Sequence, residues 1–92
     1  MPEIRFVVRW PDETLMRCYS PSLVVTEHLE VGLLYPVAEF VERSRRALTI
    51  GSQRIQDKYG YPCSLALSQL AEIESTARRF AAGHIRIVAF ER

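Results

Sequence analysis

Cys18, Cys63, His28 and His84 are the side chains of this sequence best suited to hold a soft metal or attack an electrophile. Their spacing matches no zinc motif, because both Cys-x-x-Cys and His-x-x-x-His are missing. Two small buried thiols and two surface histidines are the plainer reading. Cys63 carries one chemical possibility beyond that. It directly precedes a segment with helical periodicity, and a helix N-terminus stabilises negative charge on a nearby group. Cys63 is therefore the candidate nucleophile, with His28 as a conceivable base that no local spacing brings near it. The sequence holds no Gly-rich phosphate loop, no Gly-x-Ser-x-Gly and no carboxylate cluster at metal spacing. No other catalytic residue, no cofactor and no metal follow from it, and a binding role is favoured over an enzymatic one.

A second set of residues suits recognition. Arg5, Arg9, Arg17 and Arg86 alternate with apolar residues in segments that read as strands. If the apolar sets face inward, the opposite face carries Arg5, Val7, Arg9, Leu15, Arg17, Tyr19, Arg86, Val88 and Phe90, with no acid. Arginine and aromatic residues are enriched in protein interfaces, so Arg5, Arg9, Arg17, Tyr19, Arg86 and Phe90 are the candidate partner-binding residues. Arginines interleaved with aromatics also suit RNA, and a plain solvated sheet face is the third alternative. The net charge of +1 speaks against a nucleic acid, since such binders carry a larger basic excess.

These residues need a scaffold. Ile4, Phe6, Val8 and Trp10 recur with period two, and Pro11-Asp12 marks a turn. Thr14 to Tyr19 reads as the returning strand of a β-hairpin, with Met16 and Cys18 on one face. Leu23 to Tyr35 has no clear period but is too apolar for a free linker, so it reads as an ordered crossover. Pro36 to Tyr59 reads as a long helix, with Val37, Phe40, Val41, Ser44, Leu48, Gly51, Ile55 and Tyr59 along one face. Glu39 with Arg43, and Glu42 with Arg46, stand in the favourable i,i+4 order. Gly51 costs about 1 kcal/mol relative to alanine in mid-helix, and so marks a close crossing or a bend. Ser64 reads as the cap of a second helix that runs to about Ala82. Ile85, Ile87 and Ala89 then alternate with Arg86, Val88 and Phe90 as a final strand. The expected fold is α+β, in the order strand, strand, crossover, helix, helix, strand. A three-stranded antiparallel sheet, with the last strand beside the first, would carry both helices on one face.

Ninety-two residues make one domain over residues 1–92 with a thin core, since a chain this short buries only about 60–65% of its unfolded surface. Met1-Pro2-Glu3-Ile4-Arg5 opens without an apolar run behind a basic start, and no stretch has the roughly 18 apolar residues of a membrane span. A cytoplasmic protein with free thiols is the expectation.

Several stretches together resemble a known family. Arg9-Trp10-Pro11-Asp12, Cys18-Tyr19-Ser20-Pro21-Ser22, Gly32 with Tyr35-Pro36, Arg45 with Ala47-Leu48, Lys58-Tyr59-Gly60 and Cys63-Ser64 are similar to short bacterial proteins of the nitrogen-starvation response, named for a mycobacterial member. The resemblance spans nearly the whole chain. It departs at Glu13, where a glycine would complete the usual Asp-Gly turn, and at Gly51, where alanine is expected. The resemblance implies a gene cluster that encodes a nitrilase, a radical-SAM protein, an acetyltransferase-like protein and a flavin-dependent oxidoreductase. It further implies nitrogen assimilation from nitriles or cyanide. It assigns no catalytic residue. Within that pathway, the arginine and aromatic sheet face and the absent catalytic constellation point to a non-enzymatic accessory protein that binds a second copy of itself or a protein of that cluster.

Overall fold

The structure is a computed structural model and describes residues 3–92. Its strands are β1 (Ile4–Arg9), β2 (Leu15–Ser20), β3 (Leu34–Pro36) and β4 (His84–Glu91), and its helices are α1 (Val37–Tyr59) and α2 (Ser64–Ala77). The sheet is antiparallel in the order β2-β1-β4-β3. It therefore has four strands, not three. The crossover supplies the extra one. A 3-10 helix over Leu23–Glu27 and a turn at Gly32 lead into β3, which pairs Leu34, Tyr35 and Pro36 with Arg86, Ile85 and His84. Three residues are too few for a period-two pattern, and Pro36 ends the strand because it has no N–H to donate.

The hairpin turn is built as its residues dictate. Asp12 accepts a hydrogen bond from the Thr14 N–H at 3.1 Å, and the Glu13 N–H donates to the Trp10 carbonyl at 2.8 Å. Glu13 adopts φ 74°, the left-handed conformation that glycine takes without strain.

Both helices cover one face of the sheet. Ile4, Phe6, Val8, Trp10, Cys18, Ile85 and Ile87 meet Phe40, Ala47, Leu48, Ala66 and Ile73 there. Trp10 sits at the centre, edge-on to Phe40 at 5.6 Å and stacked on Phe80 at 5.7 Å. α1 begins after Pro36 and ends at Gly60 in the left-handed conformation, as its glycine suggested. Its apolar stripe is buried through Phe40, Ser44, Leu48 and Gly51, but Tyr59 emerges into solvent. The pairs Glu39–Arg43 and Glu42–Arg46 form at 3.4 and 3.1 Å. Gly51 marks a close crossing: a Cβ there would meet the Pro21 ring at 3.1 Å. α2 is shorter than its pattern implied. Cys63, not Ser64, occupies the cap position, and the helix stops at Ala77. Phe80 lies beyond that end, where it reaches Trp10.

One irregularity decides which side chains face outward. Val7 pairs with Ala89 but Val8 pairs with Ile87, so Val88 is an extra residue in β4, a β-bulge. Before it, Ile85 and Ile87 face the core. After it the alternation is offset by one. Ala89 joins the outward row of Val7, and Phe90 lies opposite the fully buried Phe6.

Candidate functional site

The outward face of the sheet reads as three rows of directly paired residues. Tyr19, Arg5 and Glu91 form the first, and Arg17, Val7 and Ala89 the second. The third, Leu15, Arg9, Arg86 and Leu34, crosses all four strands. Arg5, Arg9, Arg17, Tyr19 and Arg86 thus share one face. Phe90 does not join them: the bulge turns it to the helix side, where it packs against the core. The same offset puts an acid on the outward face, Glu91, contrary to the acid-free face expected from strict alternation.

The arginines of the first two rows are engaged. Arg17 donates to the Glu91 carboxylate at 2.7 Å, and the Arg5 guanidinium lies over the Tyr19 ring at 5.0 Å. Val7, on the face that no helix covers and directly paired with Arg17 and Ala89, is only 8% exposed. The third row is different. Arg9 and Arg86 are exposed and opposite one another, and neither makes an ion pair among the described residues. Leu15 and Leu34, at the two ends of the row, are 58% and 53% exposed. The sequence hid Leu34 and Glu91 from this face. The only signal for Leu34 was its place beside Tyr35-Pro36, and for Glu91 there was none, because a bulge leaves no mark in the alternation.

Cys63 stands at the N-terminus of α2, half-buried, and its N–H donates to the Ser52 hydroxyl at 3.1 Å. The fold brings it to Tyr19. The Tyr19 phenol lies near the Cys63 thiol and the Glu3 carboxylate. Burial, then the nearby Cys63 and Glu3, push the Tyr19 phenol up to about 12. The tyrosine also reaches α2 through its backbone, whose N–H donates to Gln69 Oε1 at 2.9 Å and so covers the edge of β2. His28 is not part of this corner. Its carbonyl accepts from Arg43, whereas Cys63 is held by Ser52, and nine residues of helix separate those two anchors by about 13 Å. Cys18 is buried, and burial pushes its thiol pKa up. No cluster of His, Cys, Asp and Glu fit to hold a metal occurs among the described residues, and none of their helices is long and apolar enough to cross a membrane.

Residues 5–91 match the family model of the nitrogen starvation-induced protein NitG. The chain belongs to the NitG family. That match covers both helices and all of the strands except Ile4, so the outward face, Cys63 and Tyr19 lie within the NitG family region. No curated protein and no solved structure matches the chain.

Proposed function

We propose that this NitG-family chain is a non-enzymatic accessory protein, working in nitrogen assimilation from nitriles or cyanide during nitrogen starvation. It acts by binding a protein, either a second copy of itself or the product of a neighbouring gene in a nitrilase cluster. One observation carries this reading: the uncovered sheet face presents Arg9 and Arg86 unpaired and opposed, between two exposed leucines. Exposed apolar residues beside unneutralised arginines are what a partner surface desolvates and pairs. Co-expression with the products of the neighbouring genes tests it. One of them, or a dimer seen by light scattering, is expected with the unaltered chain and lost with Arg9→Glu/Arg86→Glu. A chain that stays monomeric and retains none of these proteins would sink the proposal.

A thiol-dependent enzyme or ligand binder is the second reading, and the nearness of Tyr19 to Cys63 at the start of α2 favours it. The rate of iodoacetamide labelling against pH separates the two. Cys63 labelling near neutral pH no faster than a peptide thiol removes the second reading.

A further inference from the structure

We propose, granted that the sheet face binds a protein, that the row Leu15–Arg9–Arg86–Leu34 takes an extended acidic segment of a different protein. That segment presents two apolar residues four positions apart, with a carboxylate midway between them.

Charge supplies the first argument. Side chains directly opposed in an antiparallel pair have Cβ atoms about 4.5–5.5 Å apart, and like charges so placed repel. Arg9 and Arg86 are such a pair. They line a pocket of about 340 Å³ that Pro11, Leu34, Gly83 and His84 also border. Glu13 lines the same pocket but bonds neither arginine. A carboxylate has two oxygens and accepts from planar guanidinium forks, so one acid can bridge both arginines and cancel their repulsion.

Dimensions supply the second. Neighbouring strands lie about 4.8 Å apart, so Leu15 and Leu34, at opposite edges of the sheet, stand about 14 Å apart. An extended chain rises about 3.4 Å per residue, so side chains four positions apart on one face span nearly the same distance. The residue midway between them falls over the two arginines. A small anion could fill the centre of the row but would leave both leucines in water.

Other occupants fit less well. A second copy would set this arginine face against itself, and the acid its strands carry outward, Glu91, is already engaged by Arg17. RNA needs open aromatic rings on the sheet. Here Phe90 is turned inward, and Arg5 lies over Tyr19.

The test uses the isotopically labelled full chain and two terminally blocked pentapeptides, Leu-Thr-Glu-Thr-Leu and its glutamine counterpart. Amide shifts are expected at Leu15, Arg9, Arg86 and Leu34. The glutamate peptide should bind at least ten-fold more tightly at low salt, and the difference should shrink to under two-fold in Arg9→Ser/Arg86→Ser. Equal affinity of the two peptides in the unaltered chain, or shifts that map elsewhere, would overturn the proposal. So would a dimer formed through this row, or tighter binding of a single-stranded RNA oligonucleotide at the same amides. Hydrogen exchange with any co-purified partner distinguishes the two levels. If the peptides fail while the partner still slows exchange across the sheet, the acidic-segment assignment alone falls. If neither acts on the face, the binding surface falls with it.

Discussion

The two ends of the outward sheet face hold their arginines in opposite ways. At one end, Arg17 is bonded to Glu91 and Arg5 is spread over Tyr19, and Val7, paired with Arg17, is almost fully buried. At the other end, Arg9 and Arg86 face each other with nothing between them and a bare leucine on either side. The first end is engaged within the fold, with one Arg5 nitrogen buried without a hydrogen-bond partner. The second is stable only because the inward face beneath it, with Trp10 locked between Phe40 and Phe80, holds the strands together despite the repulsion. An arginine folded over its own sheet and one left for a partner can therefore sit four residues apart on one strand.

The largest effect that bears on this contrast lies underneath it. Phe6→Ala should remove about 3–5 kcal/mol of stability, measured by urea unfolding, because Phe6 is fully buried in the face that carries the fold. A loss below about 1 kcal/mol would show that the outward face contributes more than its exposure suggests. Glu13→Gly should stabilise by about 0.5–1 kcal/mol, since it relieves the left-handed strain in the turn that feeds Arg9 and Leu15 into the row. Arg9→Ser and Arg86→Ser should each leave stability unchanged or raise it by about 0.2–1 kcal/mol, through lost repulsion across β1 and β4. Arg17→Ser should lower it, by no more than about 1 kcal/mol, because its ion pair with Glu91 is exposed. The opposite signs at the two ends are the point of the experiment, and equal losses at both would erase the distinction. The smallest effect is one of pH. The Tyr19 phenol ionises at about 12 in the fold and near 10 when unfolded, so its contribution is complete below pH 10 and fades as pH rises toward 12. Tyr19→Phe should flatten that part of the stability curve and remove one late phase from the phenolate absorbance titration.

What the sequence revealed followed the length of each pattern. Ile4, Phe6, Val8 and Trp10 alternate without interruption, and all four are buried. α1 was legible because a long helix repeats its stripe many times, and because Gly60 stops it. β3 was invisible because three residues cannot show a period. Phe90 was assigned to the wrong face because alternation was carried through a bulge, and a slip of one residue reverses every side chain after it. At the candidate site, Arg5, Arg9, Arg17, Tyr19 and Arg86 could be grouped from alternation alone. Their division into engaged and open pairs could not, because it depends on Glu91 and Leu34, which reach the face through the bulge and the short strand. The nearness of Cys63 to Tyr19 was equally hidden, since it arises where α2 packs along the edge of β2.

The bulge at Val88 also bears on how the gene can change. β4 holds one residue more than its pairing with β1 requires. A single-codon deletion at Ile87, Val88 or Ala89 would be absorbed by straightening the strand, leaving Phe90 inside and Glu91 outside. The same deletion in β1 has no surplus to draw on and would turn the rest of that strand inside out.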